Sequence, residues 1–320
     1  AALERSAESF AAEEAPAGFA AMLVDLAAQC GDDPFVVTSM LAETGHGLPA
    51  QARGLMVGEL VRCPNSVLRD AATMQLLDAD PEVRRAVAAA LLARIADLTP
   101  ASLRRLIMMR NWHSDAERTL IDPIIRAARA KGIDCAAPPD GHAETILASG
   151  IDGSGAQDFL ILSPAGRRKR LSSVLFKNGV RDAWSGLPES RRDIETALAQ
   201  AVAETSMMPV SRGYFDRAVR HHLALGLAAG ICPPAGLLQV AETIGGAPWQ
   251  PGRLDWRQAL SALVAELPAD RLAPDAVCAT LHASDKWANF DTIVESWFED
   301  DQDVARRVAG TRGRQRTKAV

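Results

Sequence analysis

Apolar residues recur at spacings of three and four through the first 135 positions, the period of a helix with one buried face. Pro16 to Cys30 places Phe19, Met22, Leu23 and Leu26 on one side, and Gly31 follows as a C-terminal cap. Asp33-Pro34 opens a second helix carrying Val36, Val37, Met40 and Leu41. Pro49 sits in the first turn of a third, with Leu55, Met56, Leu60 and Val61. Asn65 is the N-cap of a fourth. Thr99-Pro100 and Ser114-Asp115 open two more, through Leu103–Met109 and Ala116–Ala130.

Within this stretch the pattern repeats. Leu68, Arg69, Ala71, Leu76 and Leu77 return fifteen residues later as Val83, Arg84, Ala86, Leu91 and Leu92. The second copy begins Asp80-Pro81-Glu82-Val83-Arg84-Arg85-Ala86-Val87. Asp80 caps the helix amides, Pro81 fits the first turn, alanines permit close helix approach and the leucine pairs fill a seam. This segment resembles the helical signature of HEAT and ARM-type repeat proteins, most clearly over 65–130. The resemblance implies stacked helix pairs and, by analogy, an extended concave surface that binds proteins or peptides.

From about Ala136 the period changes. Ala136-Ala137-Pro138-Pro139-Asp140-Gly141 is a run of breakers. Thr145–Ile151, Asp158–Leu162 and Leu171–Phe176 read as three short strands, separated by turns at Asp152-Gly153-Ser154-Gly155 and Pro164-Ala165-Gly166. Helical periodicity resumes over Arg191–Glu204, Tyr214–Ala229, Pro234–Ile244, Asp255–Leu267, Pro274–Leu281 and Trp287–Phe298. The expected fold is mainly α: a HEAT-like α–α superhelix, or solenoid, with a three-stranded antiparallel β-meander inserted around 143–178. The expected regions are 1–135 (helical), 136–182 (the β-insertion) and 183–320 (helical).

Composition agrees with a folded chain. Of 320 residues, 48% are hydrophobic and 23% charged, too apolar for a disordered polymer. The longest apolar candidate, Val87 to Ile95, is flanked by Arg84 and Arg85 and carries Arg94, so no membrane span is expected. Ala1-Ala2-Leu3-Glu4-Arg5 lacks the apolar core of a signal peptide. Five scattered cysteines, with no CxxC pair, fit a reducing cytoplasm better than a disulfide scaffold or zinc ribbon. The net charge of -5 is uneven: the last fifteen residues hold six basic and no acidic side chains. Arginine exceeds lysine about six to one, which with the abundant alanine suggests a GC-rich, bacterial-like genome.

Candidate chemistry is sparse. No P-loop, GxGxxG, HExxH, GxSxG or EF-hand loop occurs. Asp152-Gly153-Ser154-Gly155 reads as a hairpin turn before it reads as a phosphate cradle, because a strand follows it. Arg167, Arg168, Lys169 and Arg170 form a basic patch without interleaved aromatics, and Arg312, Arg314 and Arg316 a second. The cluster Asp134, Cys135, Asp140, His142 and Glu144 matches no metal-ligand spacing. His221-His222 point apart on a helix, and His46, His113 and His282 stand isolated. Trp287, Phe290, Trp297 and Phe298 share a helical face, a core stripe or a groove for a partner. The expectation is a non-catalytic protein–protein interaction scaffold with no catalytic residue, metal or cofactor. The alternatives are a nucleic-acid-associated protein using 167–170 and 306–318, and an enzyme with a site near His142, Asp152 and Ser154. The expected partner is a protein or peptide.

Overall fold

A computed structural model describes residues 19–45, 47–205, 207–246 and 248–284, with isolated positions outside them. The N-terminal half is a layer of helices: α1 (Phe19–Gln29), α2 (Pro34–Gly45), α3 (Ala50–Arg62), α4 (Ser66–Met74), α5 (Pro81–Ala93), α6 (Pro100–Arg110) and α7 (Asp115–Ala130). Short polar side chains start α4, α5, α6 and α7. The Asn65 carboxamide accepts from the amides of Val67 at 2.8 Å and Leu68 at 3.4 Å. Asp80 accepts from Glu82, Thr99 from Ser102 and Ser114 from Glu117, while Pro81 and Pro100 occupy first turns. Each cap satisfies an amide that the helix itself leaves unpaired. Asn65→Ala is therefore expected to cost about 1 kcal/mol, seen as a lower urea midpoint with an unchanged m-value.

Helices two apart in sequence pack together: α2 on α4, α3 on α5, α4 on α6 and α5 on α7. Small residues set the spacing. A Cβ on Gly54 of α3 would lie 3.1 Å from that of Ala86 on α5. Ala71, Ala72, Ala88 and Ala90 are fully buried.

The second half holds an antiparallel sheet of order β4-β3-β2-β1-β5: β1 (Thr145–Ala148), β2 (Gln157–Ala165), β3 (Arg168–Phe176), β4 (Val180–Ser185) and β5 (Met208–Pro209). The expected three-stranded meander is thus corrected to five strands. β4 follows Asn178-Gly179, whose φ values of 51° and 141° turn the chain back on β3. Asn-Gly is a strong hairpin signal, and it stands plainly in the sequence. β5 is two residues pairing with Leu147 and Ala148, too short for any alternation to be read.

α8 (Arg191–Thr205) packs on the sheet at β3. Leu147, Leu160 and Met207 form a small second cluster with Leu198 and Ala201 of that helix. The opposite face, with Phe159, Ile161, Val174 and Phe176, joins the main core. Both faces of β2 are covered, which explains its continuous apolar run Phe159–Leu162.

The solenoid expectation is also corrected. In a solenoid each repeat touches only its neighbours. Here α9 (Arg212–Ala229) and α10 (Gly236–Ile244) pack on β4, and α10 also reaches back to α2. One core cluster runs from Leu23 through the helices and sheet to Trp249. The Trp112 indole donates to the Trp249 carbonyl at 3.1 Å. The helices of 65–130, expected to stack as a repeat array, instead pack within one α+β core. α11 (Trp256–Ala265) and α12 (Pro274–Ser284) follow, with no buried residue in either.

Candidate functional site

A cleft of about 520 Å³ opens between the first helices and the sheet. α2 and α3 form one wall, β4 and the loop 231–235 the other. Arg53 and Asp78 line it, paired at 3.0 Å. Cys232 lies on the loop wall.

That loop is held on both sides. Gly230 ends α9 in the left-handed region, φ 70°, and the Ile231 amide reaches the Gly226 carbonyl at 2.8 Å, a Schellman closure. Pro233 and Pro234 stiffen the next two positions. Gly236 then begins α10 against the β4 backbone: a Cβ there would fall 1.7 Å from the Ala183 carbonyl oxygen.

Behind Cys232 lie two residues from the start of α7. Ser114 caps that helix, which puts His113 just before it and Glu117 in its first turn. His113 Nδ1 is 3.7 Å from Glu117 Oε2 and 3.9 Å from Cys232 Sγ. The three donor atoms all lie within 4.8 Å of one another. Arg84 of α5 pairs with Glu117 Oε1 and donates to the carbonyls of Asp78, at 2.6 Å, and Ala79, at 3.0 Å. Glu117 Oε2 accepts from the Ser114 hydroxyl at 3.3 Å and faces His113 at 3.7 Å.

The electrostatics favour neutral thiol and imidazole. Burial pushes the Cys232 thiol up to about 11. Burial also holds His113 below its usual value, against the opposing pull of Glu117. Burial raises Glu117, but the Arg84 charge and hydrogen bond outweigh it and keep the carboxyl below its ordinary range. A nucleophilic cysteine requires a thiolate, usually drawn out by a nearby cation or base. Here the thiol stays protonated at neutral pH. Glu117 and Cys232 also approach the same imidazole nitrogen, so His113 cannot relay a proton between them as in a triad. The geometry is that of converging donors.

The residues singled out from sequence are placed as follows. Asp152 Oδ1 accepts from the Ser154 amide and hydroxyl and the Ala156 amide, all at 2.8–2.9 Å, which makes a hairpin turn between β1 and β2. His142 and Cys135 are exposed. Arg167 and Gly166 form the two-residue β2–β3 turn, and Arg168 to Arg170 begin β3. Lys169 pairs with Glu144, and Arg168 donates to the Pro188 carbonyl at 3.2 Å. The structure does not bring the basic run to the cleft. His222 stacks on Phe176 at 4.6 Å, and burial lowers its pKa to about 4. His221 Nδ1 accepts from the Leu254 amide. Trp287, Phe290, Trp297, Phe298, Arg312, Arg314 and Arg316 lie outside the described residues.

The cluster itself was missed from sequence. His113 reads as an isolated histidine and Cys232 as a scattered cysteine. They stand 119 positions apart, and no spacing rule joins them.

Residues 49–132 match the Y4lR second domain family and residues 257–320 the Y4lR C-terminal helical domain family. The whole chain is similar to the uncharacterized protein y4lR of Sinorhizobium fredii. The identity is 26% over 326 aligned positions, covering 97% of this chain and 62% of that relative. The chain therefore spans less than two thirds of the length of the relative it matches. No solved structure matches. Among the described residues, no helix is long and apolar enough to cross a membrane.

Proposed function

We propose that the chain is a protein-interaction module whose C-terminal helices offer an apolar face to another protein. One observation carries this reading. Trp256, Leu260, Leu263, Val264 and Leu267 recur at helical spacing along α11 and just beyond it, and all are exposed, Leu263 by 63%. Val277 and Leu281 of α12 are exposed as well. Scattered apolar residues on a surface are ordinary, but a contiguous stripe of this kind marks an interaction site. The stripe fits an apolar helix laid alongside, with anchors at successive turns. Arg257 sits over the Trp256 ring at 4.3 Å, as a polar rim beside an apolar centre. The Cys232 thiol at the cleft and the buried His113 imidazole behind it, both neutral, support catalysis less well.

Leu260→Lys combined with Leu263→Lys is expected to abolish stoichiometric capture of the partner from source cells, quantified after crosslinking against the unaltered chain. Far-UV circular dichroism is expected to stay unchanged. Recovery of the same partner at the same stoichiometry overturns the reading. A loss of helical signal overturns it too, because the stripe would then belong to the interior of this chain.

A further inference from the structure

We propose that His113, Glu117 and Cys232 bind one divalent transition-metal ion, zinc by ligand chemistry, with the remaining position open to the cleft. Three kinds of donor converge: an imidazole nitrogen, a carboxylate oxygen and a sulfur. That mixed set suits a borderline-soft ion, and three protein ligands with one open position is the arrangement of reactive zinc sites.

The spacing fits. Tetrahedral zinc with ordinary bond lengths holds nitrogen, oxygen and sulfur donors about 3.4–3.6 Å apart. His113 Nδ1 already stands 3.7 Å from Glu117 Oε2 and 3.9 Å from Cys232 Sγ. The third pair, Glu117 with Cys232, lies within 4.8 Å, so side-chain movements of up to about 1 Å close the site. The Cys232 thiol makes only a long contact with Nδ1, at 3.9 Å, and Glu117 stands at 3.7 Å, so the three donors pair weakly with one another. His113 is 2% exposed, and its Nε2 has no hydrogen-bond partner among the described residues. An imidazole so deeply buried, with Nδ1 only weakly paired, gains by exchanging that weak contact for a bond to an ion, while Nε2 keeps the proton.

The surroundings also fit. Arg84 holds one oxygen of Glu117 and is itself held by two backbone carbonyls, and the Ser114 hydroxyl at 3.3 Å orients the second oxygen, which faces the site. The Schellman closure, two prolines and seated Gly236 fix the Cys232 loop before any ion arrives. Cys232 lines the cleft, which supplies the path for the ion and for a solvent ligand. On binding, the Cys232 S–H bond breaks heterolytically. The proton leaves to solvent and the sulfur electron pair binds the ion. His113 gives its Nδ1 lone pair and carries its proton on Nε2. Nothing is oxidised or reduced.

The test uses the full chain, stripped with a chelator and titrated with cobalt(II) or zinc. One equivalent is expected to bind, with a thiolate-to-cobalt charge-transfer band in the near ultraviolet and intense visible bands of a tetrahedral ion. Cys232→Ser is expected to abolish the charge-transfer band with unchanged circular dichroism. Cys135→Ser with Cys278→Ser, which removes two exposed thiols, is expected to keep it. X-ray absorption of the zinc-loaded unaltered chain is expected to show one sulfur at about 2.3 Å and the other ligands at about 2.0–2.2 Å, a readout that does not depend on any variant folding. No charge-transfer band, a band that survives Cys232→Ser, a band lost with the exposed thiols, or a shell with no sulfur or several overturns the proposal.

Discussion

Glu242→Ala is expected to lower the unfolding free energy by about 3–5 kcal/mol, the range for removing one partner of a buried ion pair. Glu242 lies on α10, and its carboxylate takes Arg105 at 2.8 and 3.0 Å and Arg104 at 2.8 Å, both from α6. Arg105 reaches on to Asp70 of α4 at 3.1 Å and lies over the Phe35 ring of α2 at 4.7 Å. The side chains of Arg105 and Glu242 are only 6% and 11% exposed. The network joins the late helix α10 to three early ones, so its loss strikes the contact that distinguishes this core from a linear array. Alanine leaves two guanidinium groups with little water to replace the carboxylate. Replacing Glu242, Arg104 and Arg105 together by methionine and leucines is expected to recover part of the loss, because no guanidinium then lacks the carboxylate and Asp70 keeps the hydroxyls of Thr99 and Ser102 at 2.5 and 2.6 Å. Urea unfolding of the three proteins measures this, and a single-variant loss below about 1 kcal/mol would show a surface-like pair instead.

The same carboxylate gives a pH dependence. Burial alone raises its pKa, but the hydrogen bonds and charges of Arg105 and Arg104 outweigh that and hold it below the ordinary 4.5. A carboxyl depressed in the folded state stabilises above its unfolded pKa. That stabilisation is full at neutral pH and disappears as the pH falls from about 4.5 through the lower folded value. Glu242→Gln is expected to flatten this acid limb of the stability curve and to leave the neutral-to-alkaline limb unchanged in shape.

Gly236→Ala has the second large expected effect. Helix propensity alone predicts a gain of about 1 kcal/mol from this substitution. The structure predicts the opposite sign. The new methyl would sit 1.7 Å from the Ala183 oxygen and 2.6 Å from its carbonyl carbon, and both are backbone atoms that cannot swing aside. α10 must then move off β4, at a cost of about 1–3 kcal/mol or more. Thermal unfolding decides the sign. A stabilised Gly236→Ala protein would mean that α10 does not rest on the sheet as described.

The difference between these two sites and the helix caps explains what could be read in advance. Asn65, Asp80, Thr99 and Ser114 act on amides two or three residues away, so their role is visible in a few letters of sequence. The turn at Asp152–Gly155 is local in the same way. Asn178-Gly179 was equally local, and attention to it reveals β4. The Gly236 contact reaches 53 positions back to Ala183, and the Glu242–Arg105 pair spans 137. No periodicity reports such distances.

The apolar stripe of α11 shows the same division. Its spacing, Trp256 to Leu267, predicts a helix with one apolar face, and that helix forms. An amphipathic pattern states only that the face needs cover. Whether the cover is the chain's own core depends on where the helix lands, and here the stripe stands exposed. Among the described residues, sequence by itself determined the helices, the polar caps of four of them and three of the five strands, because hydrogen bonding and side-chain period act within a turn or two. The tertiary structure alone decided that helices and sheet share one closed core. It alone joined His113, Glu117 and Cys232, because loop closure over more than a hundred residues is set by the packing of the whole.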